Sequence, residues 1–219
     1  MRSKRPTNLS DANGTSEGAG RQQFQWTIFE ENLTLSGSVG RPDYLKRHSY
    51  NNGVEFALRE FRREDFESLW HIDQECFAPG IAYSRLELAA YIRLRGAFTL
   101  IAESIPDRRE KTGTMVAPGE GSSLELLGFI VAQVTRRKVG HILTIDVPLA
   151  SRRFGVGSKL LATAEERLRL AACRSVELET AVDNAGALAF YKRHGYSVVK
   201  TIPRYYTNGV DAFVLEKEL

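Results

Sequence analysis

The chain has 219 residues, 42% hydrophobic and 26% charged, with a formal net charge of +3; that is room for one ordinary domain with a real core, or for one domain and a tail. So small a positive excess does not by itself point to nucleic acid, and no run approaches the ~18 apolar residues that a membrane-spanning helix needs. Cys76 and Cys173 stand in neither metal-ligand nor redox spacing, so no metal is expected and both read as small core residues.

Residues 1–52 read as an extension of the domain that follows. Residues 1–22 are rich in Ser, Gly, Asn and Arg and are too polar to bury the surface that would order them. Residues 23–52 carry Phe24, Trp26, Phe29, Tyr44 and Tyr50 without a sustained period. Polar residues follow the basic start where a secretory signal places an apolar stretch. Asp11, Glu17, Glu30 and Glu31 count against a transit peptide. The expectation is a cytoplasmic protein.

A regular pattern begins at Val54, and the domain is drawn over 53–219. Val54, Phe56 and Leu58 alternate with Glu55, Ala57 and Arg59 as a half-buried strand would. Phe66, Leu69, Trp70, Cys76 and Phe77 then recur at helical spacing, with Asp73 the polar exception, until Pro79-Gly80 breaks the helix. Ser84-Arg-Leu-Glu87 has the spacing of a capping box and predicts a second helix to about Leu94. Ala97–Glu103 reads as a strand and 104–122 as a long loop. Leu124–Thr135 and Gly140–Val147 are apolar and β-branched, and Arg136-Arg-Lys138 between them suggests an antiparallel hairpin. Val156, Leu160, Leu161, Ala164 and Leu168 share one helical face. Ser175–Ala181 is a strand. Asn184–His194 is a helix, with Asn184 as its cap and Gly195 as its stop. Tyr196–Ile202 and Ala212–Glu216 close the series as strands. The order predicts an α+β fold: a mixed, mostly antiparallel sheet of six to seven strands with about four helices, in three α/β/α layers.

The segment from Val147 to Ser158 carries the first functional signal. A strand ends, a loop follows, and a helix opens among Arg152, Arg153, Gly155 and Gly157. Glycine lets the backbone approach a ligand, and the first amides of a helix point outward into a field that favours an anion. Such a turn suits a pyrophosphate. A dinucleotide fold is the natural rival, because Glu177 lies about twenty residues beyond Gly157. Against it, Leu160 stands where the third glycine should fall, and the preceding strands read as a hairpin rather than a βαβ unit. The nucleotide-triphosphate loop motif is absent.

Arg152-x-x-Gly155-x-Gly157 resembles the Q/R-x-x-G-x-G/A pyrophosphate motif of the GNAT acetyltransferases. Downstream, Asn184-Ala-Gly-Ala-Leu-Ala-Phe-Tyr191-Lys-Arg-His-Gly195-Tyr196 is similar to that superfamily's second signature. The resemblance covers roughly residues 54–219. Within the superfamily the chain looks most like the bacterial ribosomal-protein alanine N-acetyltransferases. Cys76-Phe77-Ala-Pro79 with Tyr83-Ser84, and Arg204-Tyr205-Tyr206 with Gly209 and Asp211-Ala212, resemble the segments that flank their peptide groove. Ala78-Pro-Gly-Ile-Ala82 replaces a shorter segment before Tyr83, and the loop at 104–122 is long.

The resemblance implies acetyl-CoA as cosubstrate. Val147, Arg152, Arg153, Phe154, Gly155, Val156, Gly157, Ser158 and Asn184 would bind it, and Phe77, Tyr83, Tyr205 and Tyr206 would line the acceptor site. It implies Glu179 as base, with Glu177 on the same strand face as the alternate, and Tyr191 as the acid that protonates the departing thiolate. A free α-amine titrates near ~8 and needs only a modest base, whereas a lysine amine near ~10.4 needs more help. The expected reaction is direct acetyl transfer to a primary amine, foremost a protein N-terminus. The alternatives are a lysine side chain, a small cationic amine, or a non-catalytic acyl-CoA sensor. The acceptor is the expected partner, with no direct nucleic-acid or membrane binding and a monomeric or homodimeric state.

Overall fold

The alternating and helical patterns resolve into one sheet covered on both faces in a computed structural model that describes residues 48–49, 55–105 and 124–219. The expected polar leader over 1–22, the aromatic stretch as far as Arg47, and most of the long loop lie outside the described residues. The strands are β1 (His48–Ser49), β2 (Glu55–Glu60), β3 (Ala97–Ser104), β4 (Leu126–Val134), β5 (Val139–Asp146), β6 (Ser175–Ala181), β7 (Ser197–Ile202) and β8 (Ala212–Glu218). Their spatial order is β1-β2-β3-β4-β5-β6-β8-β7. Neighbours run antiparallel except for β5 and β6, which are parallel. Two features go beyond the sequence reading. His48–Ser49 adds a two-residue strand against Phe56 and Glu55, and β8 inserts between β6 and β7.

Period-two alternation splits the sheet's side chains between two cores. On one face α3 (Val156–Leu170) lays Leu160, Leu161, Ala164 and Leu168 against Leu100, Ala102, Ile130, Ala132, Ile142, Val176 and Leu178. α4 (Ala185–Arg193) joins that face through Ala187, Leu188, Phe190 and Tyr191. On the other face α1 (Phe66–Cys76) and α2 (Arg85–Ile92) pack Leu69, Ile72 and Leu88 against Ile101, Phe129 and Val131. Each of these leucines is fully buried, a contribution of about 1.5–3 kcal/mol apiece relative to exposure. The three-layer α+β arrangement is the one the sequence predicts.

Local signals set the helix ends. Ser84 Oγ accepts from the Glu87 amide while the Glu87 carboxylate accepts from the Ser84 amide, which starts α2 as a capping box. Asn184 Oδ1 accepts from the Ala187 amide at 3.0 Å and starts α4. Gly195, at φ 88°, adopts the left-handed turn that ends α4 at little cost. A 3-10 turn over Arg63–Asp65 precedes α1. There Arg59 reaches Asp65 through two nitrogens at 2.8 and 2.9 Å and Glu103 at 2.9 Å, tying β2, β3 and the turn together.

Candidate active site

The site forms where two neighbouring strands part. β5 and β6 pair in register from Val139↔Ser175 to Ile142↔Leu178 and no further. At that point β5 bulges: Val131 of β4 faces Thr144 while Ala132 faces Ile142, leaving Leu143 as the extra residue. A bulge bends its strand and increases the local twist. The second half of β5 therefore leaves β6, and a gap opens between Leu143–Asp146 and Glu179–Ala181. Tyr83 donates its hydroxyl to the Leu143 carbonyl at 3.0 Å.

The glycine turn lies at one end of the gap. After β5, Leu149–Ser151 form a 3-10 turn, and Arg152 returns its Nε to the Val147 carbonyl at 2.9 Å. Gly155 begins α3 with φ 79°, a left-handed conformation that favours glycine, and no side chain caps the helix. The first amides of α3 are thus left to an outside acceptor, with the exposed Arg152 and Arg153 beside them. A Cβ at Gly157 would stand 3.5 Å from Phe190 and 3.6 Å from Val147, so α4, the turn and the end of β5 converge there. Phe154 packs on the α3 core and Val156 is buried within it. Ser158 Oγ lies 3.0 Å from His194 Nε2. The Asn184 oxygen is engaged in capping α4.

On the α1 face of the gap, His141 Nε2 and Glu179 Oε2 are 2.8 Å apart. Glu179 lies just past the last paired rung, whereas Glu177 sits within the ladder, opposite His141 on one side and Glu216 on the other. Burial opposes the charged imidazole. The hydrogen bond and charge of Glu179, with Glu177 adding, outweigh it and hold His141 above its ordinary value. The sequence reading missed His141. Its signal was a titratable residue inside the β-branched run Gly140–Val147.

Tyr191 enters from the α3 face and is 6% exposed. Burial, then the nearby Asp146 carboxyl, then Tyr206 hold its phenol well above the usual tyrosine range, so it stays protonated. Asp146 is fully buried: Oδ1 accepts from the Thr144 hydroxyl, and Oδ2 has no partner among the described residues. Burial, followed by the neighbouring Asp73, raises Asp146 well above the carboxylate range. Cys76 is pushed up to about 12 by burial and by Asp146, against the opposing pull of Arg152, which makes it a poor nucleophile at neutral pH.

Two loops close the far side. Asp73, the polar exception of α1, is fully buried, and its Oδ2 accepts from the Tyr83 amide at 2.7 Å and from Gln74 at 3.0 Å. Trp70 and Gln74 both donate to the Tyr83 carbonyl, at 3.2 and 2.8 Å. Tyr83 is therefore held at both backbone groups and at its hydroxyl. Phe77 is half-buried at the C-terminal cap of α1. Across the gap, Tyr206 is buried with Ala181 and Ala212, and Tyr205, Val210 and Ile81 pack on them. The Thr207 hydroxyl donates to the Gly80 carbonyl at 2.7 Å, joining the α1–α2 loop to the β7–β8 loop. Tyr83, Tyr205 and Tyr206 thus rim one end of the gap, and Tyr206 is more buried than an exposed hairpin aromatic would be.

Known proteins resemble this chain in sequence and in fold. The chain is 35% identical over 102 residues to an uncharacterized N-acetyltransferase of Methanocaldococcus jannaschii, spanning 41% of this chain and 65% of that one. It is 39% identical over 77 residues to the N-alpha-acetyltransferase MAK3 of Arabidopsis thaliana, over 35% of this chain and 40% of that one. The chain thus spans less than two thirds of the length of these relatives. Ard1 from Thermoplasma volcanium superposes with a TM-score of 0.61 at 25% identity, over 75% of this chain and 97% of that one. A chain of the NatC complex bound to Gag peptide and CoA gives a TM-score of 0.57 at 27% identity, over 75% and 98%. Residues 55–196 match the Acetyltransferase (GNAT) family. With the parted parallel strands, the uncapped glycine turn and both sequence signatures in place, the chain belongs to that family.

Proposed function

We propose that this chain transfers the acetyl group of acetyl-CoA to a primary amine, and that the amine is the N-terminal α-amine of a protein. The observation that carries the proposal is the gap between β5 and β6, with an anion-suited helix start at one end and the His141–Glu179 pair on its α1 face. The residues fit the cosubstrate. The uncapped α3 amides from Val156 to Ser158, with Arg152 and Arg153, suit a pyrophosphate. Val147, whose carbonyl already accepts from Arg152, offers its amide to the arm within the gap. Bound there, acetyl-CoA supplies the activated acyl group.

The chain's own residues then divide the proton work. Glu179 and His141 act as one base on the incoming amine, Glu179 being favoured over Glu177 because it lies beyond the paired rungs. Tyr191, kept protonated, gives its proton to the departing thiolate. Attack is direct, in keeping with the raised thiol of Cys76. Phe77, Tyr83, Tyr205 and Tyr206 receive the acceptor. The tie between Gly80 and Thr207 bridges two loops over the gap and favours an extended chain entering beneath it. The names of the relatives, an N-alpha-acetyltransferase and a NatC complex bound to a peptide, support the same acceptor.

The reading draws one domain over 53–219 with 1–52 as an extension, and a cytoplasmic, metal-independent enzyme that is monomeric or homodimeric. Among the described residues no helix is long and apolar enough to cross a membrane. The test is CoA release from acetyl-CoA with peptides beginning Ala, Ser or Met, a lysine peptide with a blocked N-terminus, and spermidine. Turnover confined to free N-termini is expected. Turnover only with the lysine peptide or spermidine would overturn the acceptor, and acetyl-CoA binding without turnover on any of them would favour a sensor.

A further inference from the structure

His194 is a titratable side chain beside the glycine turn that the scheme above leaves without a role. It caps the C-terminal end of α4, next to Gly195, and is half-buried. Two contacts fix it against the start of α3. Its Nε2 lies 3.0 Å from Ser158 Oγ, and its ring centroid lies 4.6 Å from that of Phe190. Phe190 is also the side chain that a Cβ at Gly157 would meet, at 3.5 Å. The end of α4 therefore meets the first turn of α3 through His194 and Ser158. The Lys159 amide donates to the Gly155 carbonyl at 2.9 Å, so Ser158 is the last residue whose amide that turn leaves over.

The charged groups around the ring come from each element packed on it: Arg193 from α4, Glu165 from α3 and Lys217 from β8. Glu165, the one carboxylate of these, already accepts from the Tyr196 hydroxyl at 3.0 Å and from Lys217 at 2.6 Å. Among the described residues the ring bonds Ser158 and no carboxylate. Burial and then Arg193, with Glu165 opposing and Lys217 adding, hold the free ring below the ordinary histidine value. The free ring is thus neutral at neutral pH. A neutral ring can accept from the Ser158 hydroxyl, whereas an imidazolium has a proton on both nitrogens and only donates.

We propose that His194 is a positioning residue of the cosubstrate site: in its charged form it donates from Nε2 to Ser158 Oγ and so turns the Ser158 hydroxyl outward, as a donor to the bound pyrophosphate. The inference rests on the acetyl-CoA reading above and deepens it. The phosphates supply the counter-charge that no carboxylate gives the ring. Their arrival favours the charged form, which takes its proton from solvent, and a charge-assisted chain from ring to hydroxyl to phosphate results. By linkage the cosubstrate binds more tightly as pH falls toward the value of the free ring.

The probe is dephospho-CoA, which keeps the pyrophosphate but lacks the phosphomonoester that would itself titrate near ~6. Its binding to the full chain is followed by calorimetry between about pH 5.5 and 8. Wild-type affinity is expected to rise at least about threefold as pH falls, with proton uptake visible in buffers of different ionisation heat. H194Q keeps a hydrogen-bonding side chain without the titration and should be flat within about 1.5-fold, and S158A should keep less than half of the slope. A slope intact in either variant would overturn the proposal. Imidazole NMR on the wild type gives a second readout, the His194 signal being identified by its contact with the Phe190 ring. Saturating dephospho-CoA should raise its titration by about half a pH unit, the same threefold. An unmoved titration would overturn the proposal even if H194Q failed to fold. A wild type that bound neither dephospho-CoA nor acetyl-CoA at any pH would remove the cosubstrate reading as well, whereas binding with His194 unmoved would sink this inference alone.

Discussion

His141 Nε2 lies 2.8 Å from Glu179 Oε2, across the parallel pair β5–β6 and two residues beyond the rung where His141 faces Glu177. Glu179 is thereby both the expected base and the group that raises His141. A protonated His141 cannot take the amine's proton, so activity falls on the acid side as His141 gains charge. The acid limb of kcat/KM is expected above the ordinary histidine value of about 6.5. E179Q removes the charge that holds the proton and should move the His141 titration to lower pH, together with a loss of turnover. Imidazole NMR on wild type and E179Q checks it, and an unmoved titration would refute the pairing. The sign for stability follows: the contribution is full below about 6.5 and is lost as pH rises through the folded value.

Tyr191→Phe removes the expected acid while keeping the ring that packs edge-on against Phe190 and Tyr196. Turnover is expected to fall by about 10²–10⁴-fold, with CoA affinity unchanged by calorimetry. A loss of CoA binding of similar size would instead make Tyr191 a packing residue.

Gly80 has φ 85°, and a Cβ there would stand 2.7 Å from the Thr207 hydroxyl that bonds its own carbonyl. G80A should part the α1–α2 loop from the β7–β8 loop and raise the acceptor KM, leaving acetyl-CoA binding intact. T207V, which removes the donor without backbone strain, should do the same more mildly. Steady-state kinetics with the acceptor varied decides it; equal KM values in all three proteins would show that this tie does not shape the groove.

Arg59 is 13% exposed and joins Asp65 and Glu103, themselves 8% and 19% exposed in their side chains. Removing the cation leaves two carboxylates facing each other in a part-buried site. R59M is expected to destabilise the fold by about 3–5 kcal/mol, the figure for a broken buried pair. Thermal unfolding measures it, and a change under about 1 kcal/mol would mean the cluster is solvated like an ordinary surface pair.

What was legible in the sequence was what neighbours along the chain decide. The alternation through Phe56 and Leu58, the Ser84–Glu87 box, the helical face from Val156 to Leu168 and the stop at Gly195 each act within a few residues, and each appears where expected. The glycine turn was legible because a left-handed helix start asks for glycine at a fixed place, and Gly155 holds it. What stayed hidden depends on contacts far apart in the chain. His141 and Glu179 are separated by 38 residues, and Tyr83 and Leu143 by 60. Asp146, fully buried at the end of β5, was not singled out in the sequence, although a carboxylate inside an apolar run was a signal. The insertion of β8 between β6 and β7 has no local mark at all.

That insertion bears on how the molecule comes into being. Because β8 pairs with both β6 and β7, the strand carrying Glu179 keeps an open edge until residues 212–218 have been synthesised. A growing chain can assemble β2 to β6 and fold α3 onto them while still on the ribosome. Tyr206 cannot reach its place against Ala181 and Ala212 before β8 docks. The order of synthesis thus separates the strands up to β6, with α3, from the packing around Tyr206, which waits for residues 212–218.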